Sequence, residues 1–189
     1  MNKPKLDSKT TALLVIDLQH GIVGLQTQPY PAQSIVEKAA GLVRVFRQMN
    51  GKVIFVRVDL ANMRDLPVDV SHGDPNNPPP PNASELVLGF GGEKDDLVIT
   101  KQHWSAFGGT DLERVLRESD IETVVIVGIA TNFGVESTAR AAASLGFAVV
   151  LPEDATTSLN ADAHNFSYRY IFPMLGRVRT AAEVADAIA

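Results

Sequence analysis

Residues 123–143 read TVVIVGIATNFGVESTARAAA, and the turn inside this stretch decides how the rest of the chain is read. Positions 123–127 are β-branched and apolar, the composition of a strand buried on both faces. Gly128-Ile129-Ala130-Thr131 turns the chain, and a helix is predicted to begin near Asn132, whose side chain suits an N-cap. A strand that turns tightly onto a helix N-terminus presents unpaired backbone N–H groups and the positive end of the helix dipole. Such a place favours an anion or a developing oxyanion. A nucleophile in the first helical turn would gain from the same field. That turn carries Phe133, Gly134 and Val135, none of which can act as one.

Working outward, 11–16 is a continuous apolar run that stops at Asp17, and 52–58 is a second strand. Between them, Ile35, Val36, Ala39, Leu42, Val43 and Phe46 form one stripe of a helix over 32–49, closed by Asn50-Gly51. Periodicity is lost over 60–84, a long loop that includes four consecutive prolines at 78–81 and is locally polyproline II. Strands follow at 96–99, 147–151 and 177–179, with helices at 111–119, 132–145, 161–172 and 181–188. Alternating strands and helices predict a single domain, 1–189, of the α/β class: a three-layer α/β/α sandwich around a Rossmann-like, mostly parallel sheet of about six strands.

The chain has 189 residues, 45% of them hydrophobic, enough for one sizeable core. Its net charge of −5 contains no basic block, which argues against nucleic-acid binding. It has no cysteine, so disulfides, thiolate metal sites and a thiol nucleophile are all excluded. The apolar run before Asp17 is too short for a signal segment or a membrane span, and the expectation is a soluble cytoplasmic protein.

In a parallel α/β sheet, ligands collect beyond the carboxyl ends of the strands. Asp17, Asp59, Lys101, Gly128 to Gly134, and Glu153-Asp154 stand there. Asp17 reads either as a desolvated carboxyl suited to proton transfer or as a cap on the next helix. Lys101 reads as a partner for that carboxylate or as a surface lysine. Placed at adjacent strand ends facing the turn at 132–134, the two make a stronger pair than either alone. His103 and Trp104 flank Lys101, and Trp104, Phe107 and Phe133 are candidate apolar walls as well as candidate packing residues. His20, His72 and His164 are scattered and read as surface or core histidines. Ser105, Ser137 and Thr138 lack a nearby base, and Asp154 reads as a local cap.

Four segments carry a resemblance to a known family: ALLVIDLQ at 12–19, ITKQHWSAFGGTDLERVL at 99–116, VVIVGIATNFGVESTARAA at 124–142 and SYRYIFPMLGRVRTAAEV at 167–184. Together they resemble the isochorismatase-like hydrolase superfamily, also called the cysteine hydrolases, over nearly the whole length. The form of the turn resembles a bacterial subgroup. The resemblance implies that Asp17 is the catalytic acid/base and Lys101 the catalytic lysine. It puts Gly134 on the position held by cysteine in nicotinamidases and carbamoyl-amide hydrolases, and glycine in true isochorismatases. It implies a cis peptide before Ala130, with backbone N–H groups of Ala130 and Gly134 facing the substrate, and a pocket that includes Gln19, Trp104, Phe107, Thr131 and Phe133. It also implies homodimers or homotetramers, with a neighbour's loop closing the pocket.

Two departures shape the expectation. The segment after the second strand, Asp59-Leu60-Ala61-Asn62-Met63, lacks the histidine of the nicotinamidase metal motif, so neither a metal nor another cofactor is expected. The turn differs from that of true isochorismatases, and only Arg57, Arg64 and Lys94 offer themselves to substrate carboxylates, so isochorismate itself is not expected. The leading expectation is a hydrolase of a small polar or anionic metabolite that uses Asp17 and water. The alternative is a catalytically silent member that binds a metabolite or a partner.

Overall fold

The computed structural model describes residues 5–63, 66–70, 76, 78–87 and 96–189. Arg64, His72 and Lys94 lie outside them. In chain order the elements are β1 (Thr11–Ile16), α1 (His20–Val23), α2 (Ala32–Gln48), β2 (Lys52–Val58), β3 (Leu97–Lys101), α3 (Leu112–Glu118) and β4 (Thr123–Ile129). A π-helical turn (Thr131–Val135) leads into α4 (Glu136–Ser144), followed by β5 (Ala148–Pro152), a 3-10 turn (Glu153–Ala155) and β6 (Thr156–Thr157). The chain closes with α5 (Ala161–Phe166), a second π-helical turn (Ser167–Ile171), α6 (Phe172–Leu175), β7 (Arg177–Arg179) and α7 (Ala181–Ala187).

The strands lie in the order β3-β2-β1-β4-β5-β7, every pairing parallel, and the two-residue β6 extends the sheet beside the end of β4. This is the expected α/β sandwich. All six residues of β1 are buried, as are six of the seven in β4, because helices cover both faces of the sheet. On one face Leu13, Val15, Phe55, Val125 and Val127 pack with Ile35, Leu42 and Phe46 of α2 and Val184 of α7. On the other, Leu14, Ile16, Ile54, Val56, Val124 and Ile126 pack with Leu112 and Leu116 of α3, Ala139 and Ala142 of α4, and Phe172 of α6.

The strand order reverses between β1 and β4, which makes their carboxyl ends the switch point where such sheets bind ligands. Gly128 lets the two ends approach. It pairs with Ile16, has φ +125°, and leaves no room for a side chain: a Cβ there would lie 2.0 Å from the Ile16 carbonyl oxygen.

The expected helix over 161–172 is helical throughout and runs on to Leu175, with a π-helical turn at Ser167–Ile171 between its two α-helical parts. Ser167 spends its hydroxyl on the Ala163 carbonyl (3.2 Å) and on Glu136 (2.6 Å), and Pro173 has no N–H to continue an α-helical ladder. β3 runs to Lys101, two residues past its expected end, so that the lysine belongs to the sheet itself.

Candidate active site

Asp17 directly follows β1. It adopts φ +53°, its N–H donates to the Val56 carbonyl at 2.8 Å, and its own carbonyl accepts from the Gln19 N–H at 2.9 Å. These bonds turn the chain sharply and leave the carboxylate 5% exposed. Lys101, 2% exposed, donates from Nζ to Asp17 Oδ2 at 2.8 Å. The sequence put the two at adjacent strand ends, but their strands are not neighbours. β2 lies between β1 and β3, and Lys101 pairs with Val58 in register. The lysine and aspartate side chains together span the two strand spacings, about 9–10 Å, that separate β3 from β1.

Burial pushes the Asp17 carboxyl up from 3.8 to about 6, with the Lys101 charge and hydrogen bond holding it from rising further. Asp17 Oδ1 is buried and makes no hydrogen bond among the described residues, so one acceptor of the carboxyl is left unsatisfied. The carboxyl therefore holds and releases a proton near neutrality, as general acid/base chemistry needs. Stability follows with a definite sign. Between the unfolded value of 3.8 and the folded value of about 6, the folded chain keeps a proton that the unfolded chain has released. The Asp17 contribution to stability thus falls as pH rises through that window. Urea midpoints measured from pH 4 to pH 7 are expected to show this fall in the wild type and to lose it in Asp17→Asn.

The turn after β4 closes the third side. The Ile129–Ala130 peptide is cis, as the resemblance implied. The Ala130 carbonyl accepts from the Phe133 and Val135 N–H groups at 3.1 and 3.2 Å. Gly134 comes so close to the ion pair that a Cβ would stand 2.8 Å from Asp17 Oδ2 and 3.5 Å from Lys101 Nζ. Gly134→Ala is therefore expected to push the carboxylate off the lysine and to cost about 1–3 kcal/mol of stability. The Asp17 carboxyl, losing its cationic partner, should titrate higher than in the wild type, measured by its side-chain carbonyl-carbon resonance.

Other candidates take different places. Trp104 is 42% exposed and meets Phe133 edge-to-face at 5.0 Å, so these two expected wall residues do come together. Phe107 instead stacks on Phe147 at the head of β5, its ring taken up by packing. Gln19 was expected in the pocket, but it is a clamp. Its Nε2 donates to the Val58 and Ala83 carbonyls at 3.0 and 3.1 Å, and its Oε1 accepts from the Val58 N–H at 2.8 Å. Both amide protons are spent on tying β2 to the loop at 81–84.

Thr131 is likewise turned inward, with Oγ1 2.8 Å from His164 Nδ1 and 3.3 Å from Thr156 Oγ1. Asn132 is not the N-cap. It lies inside the π-helical turn, and its Oδ1 accepts from the Ser158 hydroxyl. Arg57 pairs with Thr100 and donates to its hydroxyl at 3.0 Å, one position out of phase with Val58 and Lys101. It therefore lies on the opposite face of the sheet from Lys101 and cannot serve the same pocket.

Two of the three hydroxyls read without a base accept backbone hydrogen bonds. Thr138 Oγ1 accepts from the Ala106 N–H and Ser105 Oγ from the Phe107 N–H. Asp154 acts over a distance rather than locally, accepting from the Ala181 N–H at the start of α7 (2.7 Å) and pairing with Lys38. Asp59 binds Asn62 in a local turn. His20 is exposed, whereas His164 is fully buried and hydrogen-bonded. Nothing in the spacing of Thr131 and His164, 33 residues apart, announces their contact. Among the described residues no three His, Asp or Glu side chains converge as metal ligands, and no helix is long and apolar enough to cross a membrane.

A parallel sheet covered by helices on both faces, with a buried Asp–Lys pair at its switch point, places the protein among Rossmann-like α/β folds. Within that class the chain belongs to the isochorismatase family, whose Isochorismatase domain model matches residues 11–183. It is 42% identical over 188 residues to YecD of Escherichia coli O157:H7, an uncharacterised isochorismatase family protein, covering 97% of this chain and 99% of the relative. A probable inactive nicotinamidase of Arabidopsis thaliana is 32% identical over 166 residues, covering 82% and 85%. The structure of an isochorismatase family protein from Burkholderia thailandensis superposes with a TM-score of 0.89 at 42% identity, covering 98% of each chain.

Proposed function

We propose that the protein is a hydrolase of a small polar or anionic metabolite in which Asp17 moves the proton and water is the nucleophile. The observation that carries this reading is the buried Asp17–Lys101 pair, joined at 2.8 Å beside a glycine that offers no nucleophile. Gly134 stands where the resemblance puts the cysteine of thiol-using relatives, and the chain has no cysteine at all. In this scheme the protonated Asp17 gives its proton to the substrate, water adds to the activated carbon, and the Asp17 carboxylate takes a proton from that water. The tetrahedral adduct then collapses to a carbonyl as its bond to the leaving oxygen or nitrogen breaks, and Asp17 relays the adduct's hydroxyl proton to that leaving group, ending in its starting state. Lys101 keeps the carboxylate in place and balances its charge when the proton is away. Backbone N–H groups of Ala130 and Gly134 hold the substrate oxygen. The Trp104–Phe133 pair supplies an apolar wall.

The test is a screen of the purified protein against vinyl ethers, amides and N-carbamoyl compounds. Turnover is expected with one of these classes and is expected to fall by roughly 10²–10⁴-fold in Asp17→Asn. Turnover left undiminished by that change would sink the proton-transfer role. The name of the Arabidopsis relative favours a second reading, a silent member that binds a metabolite. A blank screen together with a metabolite retained beside Lys101 would favour it.

A further inference from the structure

One segment, 158–167, grips the turn that carries Ala130 and Gly134 at three points. Ser158 donates to Asn132, His164 Nδ1 lies 2.8 Å from Thr131 Oγ1, and Ser167 donates to Glu136 at 2.6 Å. The middle contact is the one with both partners fully enclosed, Thr131 and His164 each being 0% exposed. The imidazole is held between aromatic rings, Tyr30 edge-on at 5.8 Å and Tyr168 at 4.8 Å. Its other nitrogen, Nε2, makes no hydrogen bond among the described residues, and Glu153 Oε1 stands 4.0 Å from it.

The Thr131 hydroxyl lies 3.3 Å from Thr156 Oγ1 and 2.8 Å from His164 Nδ1, so the imidazole ties Thr131 into a buried hydrogen-bonded chain whichever ring nitrogen carries the proton. Burial lowers the imidazole from 6.5 to about 4, so that the ring is neutral. Thr131 directly follows Ala130 and opens the π-helical turn. A threonine hydroxyl not engaged elsewhere competes for nearby backbone groups, and here it is drawn away from them.

We propose that His164 is a positioning residue: through its hydrogen bond to the Thr131 hydroxyl, it fixes where the backbone of Ala130 and Gly134 sits relative to Asp17 and Lys101. It touches neither Asp17 nor Lys101 and acts through Thr131. The leverage comes from the tight fit at Gly134, whose Cβ direction ends 2.8 Å from Asp17 Oδ2, so a small shift of the turn changes the geometry at the carboxylate. The catalytic consequence rests on the hydrolase reading above, but the structural one does not.

Thr131→Val and His164→Phe remove the hydrogen bond with little change of shape, while Thr131→Ser keeps the hydroxyl and His164→Asn keeps a hydrogen-bonding amide near the Nδ1 position. The backbone amide resonances of Ala130 and Gly134 in 15N-labelled protein need no substrate. Thr131→Val and His164→Phe are expected to shift both signals in the same direction, with the double variant moving them no further. Thr131→Ser and His164→Asn are expected to return most of the shift. With a substrate from the screen, kcat should fall about tenfold or more in the first pair while KM changes little, the mark of lost orientation rather than lost binding. Amide signals unmoved by Thr131→Val, or effects that simply add in the double variant, would overturn the proposal. Should His164→Phe not fold, the comparison of Thr131→Val with Thr131→Ser decides the matter. A blank substrate screen leaves the amide result standing, so the two proposals fail separately.

Discussion

Asp17→Asn is expected to lower kcat/KM by roughly 10²–10⁴-fold, the range that a positioned acid or base contributes to proton transfer. Asparagine keeps the size of aspartate and an oxygen for Lys101 Nζ, but it has no proton to give and cannot recover one from water. The change also leaves the lysine charge buried without a counter-charge, which is destabilising in itself. Rates are therefore compared well below the melting temperature of each variant. A loss that appears in kcat as much as in kcat/KM identifies an interaction made in the transition state. A loss confined to KM would mean that Asp17 only binds.

Gly128→Ala is expected to destroy the fold. The new Cβ would lie 2.0 Å from the Ile16 carbonyl oxygen and 2.8 and 2.9 Å from the Ile16 carbonyl carbon and nitrogen, all backbone atoms of a central strand. Ile16 cannot retreat, because it is fully buried and pairs with both Gly128 and Val56. The position also has φ +125°, which side-chain-bearing residues rarely adopt. A cost above about 4–5 kcal/mol consumes most of a typical folding free energy of about 5–15 kcal/mol. Gly41→Ala is the control. Its Cβ meets nothing within 4 Å in the middle of α2, and alanine there should stabilise by about 0.5–1 kcal/mol. Urea midpoints of the two variants separate the backbone clash from a general dislike of mutation.

What could be read from the sequence was what burial imposes on single segments. The strands 11–16, 52–58 and 123–127 show as apolar runs because the sheet is covered on both faces. Asp17 shows because a carboxylate ending such a run is out of place unless it has work to do. The details that depend on distant partners did not show. Strand order is set by crossovers, not by local pattern, so nothing in the chain revealed that β2 separates Asp17 from Lys101. Gln19 and Thr131 look like polar pocket residues, and Asn132 like a helix N-cap, because of where they stand beside the turn. Their hydrogen bonds run instead to Val58, Ala83, His164 and Ser158, residues 26 to 64 positions away. His164 is the clearest case, since a lone histidine in a helix gives no sign of which hydroxyl it will meet.

The most direct test of the proton-transfer mechanism is the pH dependence of kcat/KM, which reports the protonation state of the free enzyme. With Asp17 as the acid, its folded value of about 6 sets the active form on the acid side. The predicted profile falls about tenfold per pH unit above that value, and this limb is absent from any residual activity of Asp17→Asn. A profile that is flat or rising through pH 6, or an alkaline limb that survives in Asp17→Asn, would contradict the assignment of the proton to Asp17.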